Sequence, residues 1–175
     1  KIKGSVWEGC YALKGNYHRF AKTIEPLQYK RLESITSPEW IDAMVVLIGN
    51  KPFFRWHDAG DLQSVEPLSK IATIARHLPK TLFWLPTREY DIVKAFVSTE
   101  SVPVNLVIRM SAMMIDTPAK LPRSLKGFAN ILTSTVHSKK ELTGFKCVAP
   151  SQQGKCGSCR ACWDNTVTNV SYHAH

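Results

Sequence analysis

Pro52-Phe53-Phe54-Arg55-Trp56-His57 is a short β-rich run that ends in Asp58-Ala59-Gly60-Asp61. A second run, Thr81-Leu82-Phe83-Trp84-Leu85, is closed by Pro86-Thr87. Between them the pattern is helical. Ser64 stands at the N-cap position, Pro67 lies in the first turn, and Leu68, Ile71, Ala75 and Leu78 share one helical face. Arg88–Phe96 reads as another helix, with Tyr90, Val93 and Phe96 on one side. Asn105-Leu106-Val107-Ile108-Arg109-Met110 predicts a third strand, ending in Ser111-Ala112. Asn130-Ile131-Leu132-Thr133 predicts a short fourth, which leads to Ser134-Thr135-Val136-His137. Strands and helices alternating at this spacing predict βαβ units, a parallel sheet and right-handed crossovers. About four strands cannot close an eight-fold barrel. The expectation is therefore an α/β fold, a small or partial (β/α) barrel with parallel strands and a cysteine-rich C-terminal loop segment.

Outward from this core the signals weaken. Ser37-Pro38-Glu39 predicts a helix start, with a run to about Ile48 and a stop at Gly49-Asn50. Residues 22–35 are mixed, with Pro26 as punctuation, and residues 1–20 carry Gly4, Gly9 and Gly15 and little periodicity. From Ser138 onward the chain is turn-rich. There is no internal repeat or interdomain linker. Residues 1–175 thus read as a single domain: an N-terminal ligand-type loop (1–20), an α/β core (21–137) and a cysteine-rich tail (138–175).

Composition limits the function classes. The 175 residues include 23 Lys+Arg against 14 Asp+Glu, a formal +9, with 44% hydrophobic and 21% charged residues. That balance is ordinary for a folded protein and argues against disorder. The longest purely apolar stretch, Ala43–Ile48, is far too short to span a bilayer. No basic segment precedes an apolar run, so no secretory leader is expected. The positive charge invites nucleic acid, and the basic stretches Lys120–Lys126 and Lys139–Lys146 would serve it. Aromatic residues are not interleaved with them as stacking platforms, so this reading is not favoured.

The five cysteines are Cys10, Cys147, Cys156, Cys159 and Cys162. An odd number argues against a complete set of intrachain disulfides. Four of them form C-x8-C-x2-C-x2-C within sixteen residues. Each C-x2-C spacing lets two thiolates turn back on one centre, and Gly154 and Gly157 allow the positive φ that such turns need. Zinc sites usually use separated pairs. Three cysteines at x2-x2 with a more distant fourth suit an iron–sulfur cube. The expected cofactor is a [4Fe–4S] cluster, with Zn²⁺ as the alternative and a metal-free or redox-disulfide site as a third reading. The fourth ligand is Cys147 or Cys10, the latter in the small, polar context Glu8-Gly9-Cys10-Tyr11-Ala12 or else a buried structural thiol. His173 and His175 are further candidates, more simply read as exposed. Trp163, next to Cys162, would either shield the centre or pack.

In parallel α/β folds, ligands bind at the carboxyl ends of the strands. Those ends carry Arg55, His57, Asp58 and Asp61; Thr87, Arg88 and Glu89; Arg109 and Ser111; and Ser134, Thr135 and His137. Turn chemistry alone accounts for single members, Asp58 as an Asx turn and Asp61 as a cap. Gathered on one rim, they are how scaffolds carry sites. His57, Asp58, Asp61, Arg88, Glu89 and Arg109 are the candidate site, with Arg88 and Arg109 as forked donors to a small anionic or polar ligand. A redox partner would follow from a cluster.

Three stretches resemble a widespread family of bacteriophage proteins: Gly4–Tyr17 (GSVWEGCYALKGNY), Phe54–Ser64 (FRWHDAGDLQS) with Trp84–Tyr90 (WLPTREY), and Cys147–Tyr172, ending CGSCRACWDNTVTNVSY. The resemblance spans nearly the whole chain. It implies an iron–sulfur protein with a reduced, radical-SAM-like core, acting in the cytoplasm of an infected bacterium. It leaves open whether the chain is an enzyme. The family pattern has a second cysteine where this chain has Trp7. Trp cannot ligate, so the weight falls on the four C-terminal cysteines. Radical-SAM enzymes place C-x3-C-x2-C after the first strand, and no such triplet occurs here. The likeness is therefore one of core shape, with SAM binding left open. A zinc-stabilised nucleic-acid-binding module or a structural phage protein is the alternative. A four-thiolate [4Fe–4S]²⁺ or Zn²⁺ site carries about −2, which would lower the chain's charge to roughly +7.

Overall fold

The computed structural model describes residues 2–8, 15–138 and 144–174. Cys10 and most of the basic stretch 139–146 lie outside the described residues. The first run, β1 (Phe53–Arg55), pairs in parallel with β2 (Leu82–Thr87), which pairs with β3 (Leu106–Ser111) and through it with β4 (Ile131–His137). All four expected strands are present and parallel. β2 runs through Pro86 and Thr87 rather than closing there. A proline inside a sheet forfeits a ladder bond, but β1 has already ended opposite Trp84. The side that lacks the donor therefore has no strand to serve.

The tail corrects the strand count. β5 (Phe145–Lys146) and β6 (Asn169–His173) join the sheet, both parallel, giving the order β1-β2-β3-β4-β6-β5. The result is a six-stranded half-barrel, two strands larger than expected. Asn169-Val170-Ser171-Tyr172-His173 is too short and polar to read as a strand by itself. It becomes one because β4 offers a free edge, with Thr133 to His137 in register with Asn169 to His173.

Five helices accompany the sheet: α1 (Gly15–Arg19), α2 (Ala21–Ser34), α3 (Trp40–Ile48), α4 (Val65–His77) and α5 (Tyr90–Val97). α2 covers the mixed 22–35 segment and keeps Pro26 within it. α3 starts at Trp40, slightly later than Ser37-Pro38 suggests, and Ser37 Oγ instead accepts the Glu39 amide at 3.3 Å. Alternation along the strands divides the interior in two. Phe83, Leu85, Leu106, Ile108, Met110 and Ile131 pack with α3, α4 and α5 on one face. Trp84 and Val170 face the other way, onto Ala161, Cys162 and Trp163. The cysteine loop between β5 and β6 thus covers the sheet face opposite α3, α4 and α5. Among the described residues no helix is long and apolar enough to cross a membrane.

Candidate functional site

Because every strand is parallel, the carboxyl ends of all six share one rim. Two of the clefts that open there hold most of the expected site residues. The narrower, about 160 Å³, is walled by Arg55, His57, Asp58, Asp61, Arg88 and Ser111 among others. The wider, about 550 Å³, adds Trp84, Ser134, Tyr172 and His173, with Val6 of the N-terminal segment. Ser5 holds that segment on the rim by bridging Met114, and Val6 donates its amide to the Met113 carbonyl at 3.1 Å.

The expected site residues divide by role. Asp61 ties the loop after β1 to the end of β2. Its carboxylate accepts from the Leu62 amide at 2.8 Å, the Thr87 hydroxyl at 2.5 Å and the Arg88 amide at 2.8 Å. His57 stands at φ +55°, a left-handed conformation that turns the chain off the sheet. Burial holds its pKa below the ordinary 6.5, against the opposing pull of the Asp61 carboxylate and the Pro86 carbonyl. Asp58 accepts a hydrogen bond from the Tyr17 hydroxyl. Arg88 lies 5.2 Å from the centre of the Trp7 ring, and Arg55 lies 4.7 Å from that of Trp84. The structure thus gathers His57, Asp58, Asp61 and Arg88 on one wall. Glu89 lies outside these walls, at the N-cap of α5. At the far end of the rim His137 Nδ1 pairs with Ser171 Oγ at 2.7 Å, and its ring meets His173 edge-on at 5.4 Å.

Arg109 does something else. It is fully buried. Its guanidinium donates to the carbonyls of Cys162 (3.0 Å), Ala161 (2.7 Å), Asp164 (2.9 Å), Val167 (2.9 Å) and Thr133 (3.3 Å). Burial works against its charge, while Tyr172, Cys162 and Asp164 favour it. Four of these five bonds go to the cysteine loop, so Arg109 clamps that loop instead of facing the cleft. The loop is pinned from the β1 side as well. Trp163 Nε1 donates to the Phe54 carbonyl at 2.9 Å, and the Arg160 guanidinium lies 4.6 Å from the Phe53 ring centre.

The clamp brings the thiols together. Cys147, Cys156, Cys159 and Cys162 line one small cavity of about 10 Å³, with Trp163 and Val170 among its other walls. Cys147 follows β5 directly and donates its amide to the Ser171 carbonyl at 2.8 Å. Gly154 and Gly157 have φ +78° and +56°, the positive values their spacing suggests. The Gln152 side-chain amide packs beside Gly157. Burial pushes the Cys147 thiol up and the Cys162 thiol up to about 11. Tyr172 Oη lies 3.2 Å from Cys162 Sγ. No three Cys, His, Asp or Glu side chains among the described residues already converge on a single centre. Sharing a cavity wall is the looser condition, and the four thiols meet it. Four thiols are a soft donor set, the type that holds zinc or iron–sulfur centres. Tyr172 escapes a sequence reading of the site, whereas Arg55 is already read there at the end of β1. Only the register of β6 brings the tyrosine beside Cys162, and Arg55 joins the rim through its stack on Trp84.

No curated protein and no solved structure matches the chain. A family model, described as gene product 88, matches residues 4–165, which takes in the N-terminal segment, the rim and all four C-terminal cysteines. The chain belongs to the gene product 88 family.

Proposed function

We propose that Cys147, Cys156, Cys159 and Cys162 hold a [4Fe–4S] cluster, and that the rim beside it binds a small anionic or polar ligand. The observation that carries this reading is the shared cavity of four cysteines from both ends of a sixteen-residue segment. The spacing supports a cube, since two overlapping C-x2-C units present three thiolates from one loop. Burial raises the Cys147 and Cys162 thiols, so a metal must displace their protons to bind. Unliganded, they hold their protons, and a cation supplies the charge that makes them thiolates. When bound, such a cluster supplies one-electron chemistry. Arg55 and Arg88 on the cleft walls favour an anion, and Ser111 and Ser134 add hydroxyls. A reduced, radical-SAM-like core and action in an infected bacterium belong to the same proposal, as the phage resemblance implies.

The small cavity favours a second reading. About 10 Å³ is room for one water-sized body, which suits a single Zn²⁺ without the spreading a cube requires. Anaerobic iron, sulfide and zinc analysis of the full chain decides between them. Four irons with matching sulfide and absorbance near about 400 nm are expected for the cube. A colourless protein with one zinc per chain overturns it.

A further inference from the structure

Tyr172 belongs to both halves of the site. Its ring forms part of the wall of the wide rim cleft, and its hydroxyl reaches the Cys162 sulfur at 3.2 Å. Each end of this contact is fixed by independent bonds. The ring lies nearly parallel to Trp84, 19° between planes and 6.5 Å between centres. Its backbone is held on β4, in register with Val136, one residue past the last β5 partner at Ser171. On the other side, Arg109 holds the carbonyls of Ala161 and Cys162. The sheet and the clamp thus fix the two backbones from which hydroxyl and sulfur meet.

Either atom could donate while Cys162 carries its proton. A metal-bound cysteine is a thiolate and has no proton to give, which leaves the phenol as the donor. Hydrogen bonds to ligand sulfurs are among the factors that set cluster potentials, and outer partners commonly govern ligand affinity.

We propose that Tyr172 is a positioning residue of the cysteine centre: its O–H donates to the Cys162 sulfur and joins that centre to the wall of the ligand cleft. The inference rests on the metal reading above. Tyr172→Phe tests it, because the ring, its stack on Trp84 and the cleft wall remain while the hydroxyl goes. In iron-loaded protein, unchanged iron and sulfide with a more negative reduction potential are expected. An unchanged potential overturns the proposal, and so does a folded variant that loads no iron when the parent does. If the centre is zinc, release to a chelator should quicken by about tenfold or more, and an unaltered rate overturns the donor role. If the parent binds no metal, the metal reading itself fails, and the contact is then measured alone. Tyr172→Phe should shift one S–H stretching band in the Raman spectrum of the metal-free chain, and identical spectra overturn the contact.

Discussion

Replacing Arg109 by methionine asks whether the cysteine loop hangs on one buried guanidinium. Methionine keeps an unbranched apolar stem and removes every donor. The loop carbonyls of Ala161, Cys162, Asp164 and Val167 then lose partners now 2.7 to 3.0 Å away. Thr133, at 3.3 Å, contributes least. A buried carbonyl without a partner costs about 1–3 kcal/mol. Water can enter a loop once it loosens, so the low end applies, or about 4 kcal/mol for the four. Removing the charge also removes its desolvation penalty, which recovers part of that and leaves a net loss of about 2–4 kcal/mol. Against a total stability of about 5–15 kcal/mol this is a large share. Urea unfolding followed by tryptophan fluorescence reads it directly, since Trp84 and Trp163 flank the loop. With a slope of about 1–3 kcal/mol per molar urea, the midpoint should fall by roughly 1–2 M. Metal loading should fall with it. Arg109→Lys should land between, because a three-donor ammonium cannot span the carbonyls that a fork reaches. A methionine variant within about 0.3 M of the parent midpoint, with full metal loading, refutes the clamp.

Single serine replacements at Cys147, Cys156, Cys159 and Cys162 should each lower bound metal, as read by elemental analysis; a variant that keeps the full complement removes its cysteine from the ligand set. Asp61→Ala withdraws the acceptor of three hydrogen bonds and should cost about 1–3 kcal/mol. That lowers the calorimetric midpoint by about 2–4 °C per kcal/mol, and an unmoved midpoint counts against the tether. Gly144 sits at φ +118°, where a Cβ would come within 2.6 Å of the Asn169 carbonyl oxygen. Gly144→Ala should therefore cost about 1–3 kcal/mol and loosen the β5–β6 pairing, and wild-type stability would show that the backbone gives way freely. His57 makes stability depend on pH. Its folded pKa is lowered, so the unfolded chain takes up the proton first as pH falls below 6.5. Above 6.5 the imidazole is neutral in both states and the effect vanishes; below it, stability declines until the folded pKa is reached. Comparing urea midpoints between about pH 7 and pH 5 for the parent and His57→Asn, which tolerates positive φ, should show a shallower decline in the variant. Equal slopes would assign the decline to other groups.

Four parallel strands and the helices between them are written locally in the sequence. Leu68, Ile71 and Ala75 repeat at helical spacing, and Phe83-Trp84-Leu85 and Leu106-Val107-Ile108 are β-rich runs bounded by turn residues. The cysteine spacing and its two glycines are local too, and their positive φ values follow from the turns they make. The rim is equally legible, because parallel strands put their carboxyl ends on one side. The rest depends on neighbours. β6 is a polar pentapeptide that becomes a strand only against the free edge of β4. Arg109 reads as a strand-end cation. It turns inward because the loop returning over the sheet leaves unpaired carbonyls directly above it. Cys147 and Cys162 are brought to one cavity by that same return, and Tyr172 reaches sulfur through strand register. Local sequence thus set the first four strands, the helices between them, the cysteine spacing and the rim. Tertiary structure decided which arginine clamps and which lines the cleft, and which aromatic touches the Cys162 sulfur, because hydrogen-bond partners from distant segments are chosen by the packing of the whole sheet.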